Sequence, residues 1–463
     1  MRPGVLAVVA AIFAGLGGCA FDLGFDGTRY RCGAGGACPP GQTCVAGVCE
    51  AGSDAAADDA AADDGAGADG DLPDAPSDGT ITSTACGTLD LLRDDFATAG
   101  DGPFFDPFSA ANVTVTESSG RLVIDLAPGA EGYGGYESFY LYDLHGGAIV
   151  AELVETAADA TILEVRNHLG NKAQLTVEGS TVFAGLFSVP SPGTLAQRAW
   201  QSNERFFRIR EESGDMIWEL STDGASWSLL HRRALPFDVS HVQGVVAAGG
   251  TVSTLSRSSF EAVNPGPTTI PYCPADELRD DFATSGLYPV WYVYQNSGCT
   301  VQETGGNLVL TYQTGSSSSF CGMDSSHLWD FSRGDGVTID ASTLPSASNF
   351  VSYLEAAVPG TSGGTRIDMT LDGTTIDMRV VVSDAAVAGT TLTIDRTMHR
   401  WWRMRGTGAT VIWETAPDGS TWTERFRATA PFPLAPLDVN LGAGRYGTLS
   451  SPVTITLPGV NAS

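Results

Sequence analysis

The chain contains one long segment twice, and this repeat constrains its fold more than any other feature. Leu92-Arg93-Asp94-Asp95-Phe96-Ala97-Thr98 returns as Leu278-Arg279-Asp280-Asp281-Phe282-Ala283-Thr284, and Gly120-Arg121-Leu122-Val123 as Gly306-Asn307-Leu308-Val309, both at an offset of 186. Further along the offset is 195: Arg205-Phe206-Phe207-Arg208-Ile209-Arg210 matches Arg400-Trp401-Trp402-Arg403-Met404-Arg405, Ile217-Trp218-Glu219 matches Ile412-Trp413-Glu414, and Asp223-Gly224-Ala225-Ser226-Trp227 matches Asp418-Gly419-Ser420-Thr421-Trp422. The period is far too long for a solenoid unit, so the expectation is two copies of one domain, each with its own core, at residues 86–264 and 273–459.

Within each copy the pattern is short strand after short strand. Val113, Val115, Leu122, Ile124 and Leu126 alternate with polar residues, as do Ile367, Met369, Leu371, Ile376, Met378 and Val380 around Asp372-Gly373. Asp-Gly between alternating apolar runs is a strong hairpin signal, and it recurs at Asp223-Gly224 and Asp418-Gly419. No segment keeps a 3.6-residue period over three turns. The predicted class is therefore all-β: two tandem antiparallel β-sandwiches. Turns at Ser213-Gly214 and Gly408-Ala409 would set Arg208 opposite Glu219 and Arg403 opposite Glu414. Alternation would send Phe207, Ile209, Trp402 and Met404 to the core. Trp218, Trp227, Trp413 and Trp422 are expected in the core as well.

The early DDF, the later GxLV and the run RWWRMR, VIWET, APDGSTWT resemble the concanavalin A-like lectin/glucanase jelly rolls, over some 365 of the 463 residues. The resemblance implies jelly-roll sandwiches that bind carbohydrate, a polysaccharide or a surface glycoprotein, on a concave sheet. The candidate binding residues are then Phe206, Arg208 and Arg210 with Trp401, Arg403 and Arg405. Tyr136, Tyr140 and Tyr142, and Tyr292 with Tyr294, are expected to share a strand face as further platforms, leaving Phe139, Leu141 and Trp291 to the core. Glycosidases of this superfamily carry E-x-D-x-E on one strand, because acid and nucleophile must flank one bond. No such triplet is present, and Glu152 and Glu155 do not share a face, so a non-catalytic protein is expected. A structural or protein-interaction envelope component is the alternative, and a divergent glycosidase ranks last. No cofactor is implied, though Asp94, Asp95, Asp280 and Asp281 are candidate calcium ligands.

The N-terminal part points to export. An apolar run from Val5 to Leu16 is too short to span a bilayer and suits a signal peptide, residues 1–18. Leu16-Gly17-Gly18-Cys19 resembles a bacterial lipobox, which implies lipidation of Cys19 and, with Ala20 following, outer-membrane sorting. Residues 19–50 carry Cys32, Cys38, Cys44 and Cys49 with few apolar neighbours, so they need covalent staples. The resemblance of CPPGQTCVAGVC to small EGF-like knots favours Cys32 with Cys44 and Cys38 with Cys49 among three connectivities. Zinc is the rival, without a nearby His or paired CxxC. A local disulfide Cys299–Cys321 is expected, while Cys86 and Cys273 either bridge the two domain entrances or stay free.

Residues 51–85 form an acidic Ala/Asp-rich linker, expected to be disordered; nine Asp and no basic residue fall between 51 and 79. The whole chain sets 54 acidic against 25 basic residues, net −29. That charge argues against nucleic acid or anionic lipid as a partner, leaving membrane contact to the lipid anchor alone. The expected state is a surface-exposed or periplasm-facing monomer.

Overall fold

The computed structural model describes residues 30–31, 42–45, 48–51, 87–97, 104–156, 159–187, 193–283, 289–296, 298–316, 318–345, 349–361 and 364–461. The chain divides into two compact units, residues 1–75 and 76–463. In the first unit, strands Tyr30–Arg31, Val48–Ala51 and Gln42–Val45 form a three-stranded antiparallel sheet in that order, with Cys44 in register with Cys49. Cys19, Cys32, Cys38, Cys86 and the linker from residue 52 lie outside the described residues, as do the side chains of Cys44 and Cys49.

The second unit holds both copies. In copy 1, one seven-stranded sheet runs Gly193–Ala199, Thr181–Phe187, Lys172–Glu178, Ala160–Asn167, Val242–Gly250, Gly132–Ser138, Phe105–Ser109. The facing sheet runs Trp227–Ala234, Asp215–Ser221, Phe206–Glu212, Ala148–Glu155, Ser256–Val263, Leu122–Leu126, Val113–Glu117. Copy 2 repeats the first sheet as Trp291–Gln295, Ser319–Ser325, Asp438–Arg445, Phe350–Ala357, Arg366–Asp372, Thr375–Val382, Ala385–Thr393. Its second sheet is split. Arg333–Asp340, Trp401–Thr407, Thr410–Ala416 and Thr423–Thr429 form one part, and Cys299–Glu303, Leu308–Tyr312 and Val453–Leu457 the other.

Two separate apolar clusters fill the two sandwiches, one around Trp218 and Phe207 and one around Trp413 and Trp402. The Ser213-Gly214 turn forms with φ of 55° and 84°, the left-handed pair a two-residue hairpin demands. It sets Arg208 opposite Glu219, and the second hairpin sets Arg403 opposite Glu414. Burial alternates along Phe206–Glu212 and Trp401–Thr407 as expected, with Phe207, Ile209, Trp402 and Met404 fully buried.

The two copies make one further structural identity from DDF. The Asp94 and Asp280 carboxylates each accept the N–H two residues on, from Phe96 and Phe282 at 2.8 Å, and both phenylalanines sit at φ 50°. Asp95 and Asp281 accept from Ala97 and Ala283 in the same way, and the Trp291 indole donates to Asp280. Burial pushes the Asp94 and Asp280 carboxyls up. These four side chains hold a turn, and among the described residues no cluster of three His, Cys, Asp or Glu is placed to hold a metal ion.

Candidate functional site

The sheet containing Asp215–Ser221 in copy 1, and its counterpart in copy 2, shows an open outward face: Trp227–Ala234 and Thr423–Thr429 are exposed or half-exposed along their length. Outward residues near the middle of both sheets are buried: Ile217, Glu219 and Ser221 on this one, and Glu164 and Gln174 in copy 1 with Asp368 and Thr370 in copy 2 on the other, called the inner sheet below.

The expected residues on Phe206–Glu212 and Trp401–Thr407 sit on the first of these sheets, called the outer one. There each glutamate joins two arginines: Glu219 accepts from Arg208 and Arg210, both at 2.8 Å, and Glu414 from Arg403 at 2.7 Å and Arg405 at 2.9 Å. Burial pushes both glutamate carboxyls up, and the paired guanidiniums more than offset it, leaving them below the usual range. Trp227 and Trp422 are half-exposed, not core. Each lies under its arginine, with the Arg208 guanidinium 3.9 Å and the Arg403 guanidinium 4.2 Å from the ring centre, so the indole face is used by a cation. Phe206 and Trp401 lie over the turn glycines Gly224 and Gly419, where a Cβ would approach the rings to 3.2 and 3.1 Å.

Tyr136, Tyr140 and Tyr142 do not form an outward platform; all three are buried, and Phe139 is the exposed one. Tyr136 points into the core from within its strand, and that strand ends at Ser138, so alternation stops before Tyr140 and Tyr142, where the chain turns into the contact between the copies. The disulfide expected between Cys299 and Cys321 is likewise absent: both are buried free thiols. Their sulfurs share a hydrogen bond, which together with Ser319, the Asn296 main chain and Arg445 pushes Cys299 down to about 6 against the opposing effect of burial, while Cys321 moves up. Cys273 is disulfide-bonded.

The inner hollow of copy 2 gathers residues that the sequence left scattered. Strand register lines up Tyr292, Asp324, Asn440, Glu355, Asp368 and Arg379 across six adjacent strands. The next row contains Tyr294, Gly322, Gly442 and Tyr353. Tyr292 and Tyr294 thus share a face, as expected. The Tyr294 hydroxyl reaches Tyr353 at 2.8 Å and Asn440 at 2.9 Å by crossing both glycines, where a Cβ would run into it. Gly442→Val is therefore expected to displace Tyr294 and change its near-ultraviolet circular dichroism; an unchanged spectrum would refute this packing.

Three carboxyls in this hollow are raised by burial: Asp324 to about 6, Glu355 to about 7 and Asp438 to about 7. Asp368, fully buried, stays paired with Arg366 and Arg379. Copy 1 borders the hollow. Its Tyr140 hydroxyl donates to Asp438 Oδ2 at 3.4 Å, Tyr292 donates to the Phe139 carbonyl at 3.0 Å, and Asp438 Oδ1 is buried with no partner.

Copy 1 carries the same register as Glu137, Val245, Glu164 and Gln174, where copy 2 has Asp324, Asn440, Glu355 and Asp368. Its polar groups are closed on one another through Arg166 with Glu137 and Gln174 with Glu164, and it lacks the tyrosine pair.

No family model and no curated protein matches the chain. Among solved structures it is similar to a prokaryotic β-1,3-1,4-glucanase (lichenase) derived from a mouse hindgut metagenome, at 8% identity and TM-score 0.29, over 37% of this chain and 96% of that one. It is similar to laminarinase from Flavobacterium sp. UMI-01 at 10% identity and TM-score 0.30, over 37% and 96%. A third is the exoplasmic/lumenal domain of VIP36 in a Ca2+/Man2-bound form, at 10% identity and TM-score 0.29, over 37% and 86%. The strand pairing described above, and not these likenesses, establishes the two-sheet fold.

Proposed function

We propose that the protein is a non-catalytic, lipid-anchored surface protein that binds carbohydrate in the inner hollow of copy 2. The observation that carries this reading is the row from Tyr292 to Arg379 beside Tyr294 and Tyr353. A sugar offers hydroxyls that both donate and accept, and faces of C–H bonds that suit an aromatic flank. Asp324, Glu355 and Asp438 titrate close to neutrality, so each can accept or donate at physiological pH. Copy 1, with its hollow closed by internal ion pairs, fits a supporting role.

The test is titration of the full chain with soluble polysaccharides and their oligomers by calorimetry. Saturable binding is expected, and Tyr294→Ala and Glu355→Gln should each weaken it about tenfold or more, the scale of a buried contact at the centre of a site. Absence of binding across neutral and acidic glycans would overturn the proposal. Carboxyls held near pH 7 are also what general acid catalysis needs, so release of reducing sugar that disappears in Glu355→Gln would replace the binding reading with hydrolysis.

A further inference from the structure

Copy 1 sets a guanidinium where copy 2 sets a methyl group. Two residues along each strand from the row of Val245, Glu164 and Gln174, the register of copy 1 brings together Gln243, Arg166 and Lys172. The Arg166 guanidinium bonds Glu137, two strands away, reaches the Gln243 side chain at 3.4 Å and lies 4.0 Å from Glu164. One arginine thus stands between both glutamates of that row.

In copy 2 the same three places hold Asp438, Ala357 and Arg366. Ala357 replaces the arginine, and a further carboxyl, Asp438, replaces Gln243. Asp324 and Glu355 flank Asn440 on the neighbouring strands, and Asp438 lies two residues from Asn440 on the same strand, so three carboxyls converge on one patch of the sheet. Arg366 serves the far side of it, 3.1 Å from Asp368 and 3.4 Å from Glu355. The charges that reach Asp438 are those of Asp324 and Glu355, both acidic, and its Oδ1 is buried with no hydrogen-bond partner. Asp324 takes a hydrogen bond from the Asn440 amide, whose oxygen accepts from Tyr294 at 2.9 Å. Buried carboxyls that face one another are stable only when protonated or met by a positive charge.

Resting on the carbohydrate reading above, we propose that copy 2 takes this positive charge from its ligand, an amino sugar of a glucosamine-type glycan. Its ammonium would occupy the place of the Arg166 guanidinium, between Asp438, Asp324 and Glu355, with the sugar ring along Tyr294 and Tyr353. An ammonium offers three N–H donors and no acceptor, which matches three carboxyls. A bare metal ion does not fit, since among the described residues no three His, Cys, Asp or Glu are gathered closely enough to hold one. A lysine side chain would bring the charge but no ring for the tyrosines. The other ionisable groups facing the patch are Tyr140, Tyr294 and Tyr353, with Arg366, Arg379 and Asp368 beyond Glu355. Burial raises the three tyrosines, which stay neutral. A bound cation favours ionised carboxyls, so binding should release their protons.

The probes are a glucosamine hexamer and its N-acetylated counterpart, titrated into the full chain by calorimetry at about pH 6 in two buffers of different ionisation heat. The free amine is expected to bind about tenfold more tightly or better, the scale of a buried charge pair, and to release more protons than the acetylated oligomer. Asp438→Asn should bring the two affinities together. So should Ala357→Arg, which rebuilds the copy 1 arrangement and should also raise the melting temperature at about pH 8, where the carboxyls are ionised. Equal affinities in the unchanged chain would overturn the amino-sugar proposal and leave carbohydrate binding standing. Binding of neither oligomer would overturn it too, and the carbohydrate reading falls with it only if the polysaccharides named above also fail to bind. A preference for the amine that survives both variants would trace the attraction to the net charge of −29 and overturn the site. A lysine hexamer that binds as tightly as the amino sugar would overturn the assignment to a sugar.

Discussion

Trp413→Ala is expected to lower the stability of the second sandwich by about 3–5 kcal/mol, the range for emptying a fully buried indole site. Trp413 has no exposure, packs 5.3 Å from the Phe426 ring, and donates to the Asp368 carbonyl at 2.8 Å, which ties the outer sheet to the middle of the inner one. The loss should appear as a lower urea midpoint. A milder pair of substitutions separates packing from hydrogen bonding. Trp218, the copy 1 counterpart, is as deeply buried, but its indole N–H has no partner. Trp413→Phe therefore removes a buried hydrogen bond to a ladder carbonyl, at about 1 kcal/mol beyond the lost packing, whereas Trp218→Phe removes an unsatisfied donor and should cost clearly less. Equal losses at the two positions would show that the Asp368 bond contributes nothing.

The second large effect is on pH dependence. Burial raises Asp324, Glu355 and Asp438, so the folded chain holds these protons more tightly than the unfolded one. Folding then takes up protons between about pH 4 and 7, and stability falls as pH rises through that window, by an amount on the order of a few kcal/mol. The groups facing them set the size of the effect: Arg366 and Arg379 favour the ionised Glu355, while Asp368 and Asp324 oppose it. Glu204, Glu219, Glu414 and Asp340 are lowered and work in the opposite sense, their contribution being lost only at more acidic pH. Maximum thermal stability is thus expected near about pH 5. Asp438→Asn should raise the melting temperature at about pH 8 and flatten its decline; a decline unchanged in this variant would place the titrating groups elsewhere.

How much of this could be read from the chain differs from residue to residue. Arg208 opposite Glu219 and Arg403 opposite Glu414 followed from a turn and a count, because register within one hairpin is a local property. The failures share a cause. Tyr140 and Tyr142 were placed by extending a period of two past Ser138, where the strand ends. Trp227 and Trp422 were assigned inside because indoles usually are, yet each lies on the surface beneath an arginine two strands away. Cys299 and Cys321 were correctly brought together, but their bonding depends on Ser319, Asn296 and Arg445, which no spacing reveals. One signal for the hollow was present and unread: Glu355, Asp368 and Arg379 each interrupt an apolar strand at the same phase, which marks a polar row on the outward face of a buried sheet.

The sequence by itself determined the duplication, the all-β class, the hairpins and the core face of the strands that carry Phe207, Ile209, Trp402 and Met404, since these rest on periodicity and turn chemistry between near neighbours. Only the tertiary structure decided that Tyr292, Asp324, Asn440, Glu355, Asp368 and Arg379 form one row, and that the two copies, alike in register, differ in how the polar groups of that row are paired. The row joins six strands contributed by residues 291 to 445, and their order in the sheet is not their order in the chain. Such an order is fixed by which apolar faces can close together over a single core, a property of the whole domain that no local window contains.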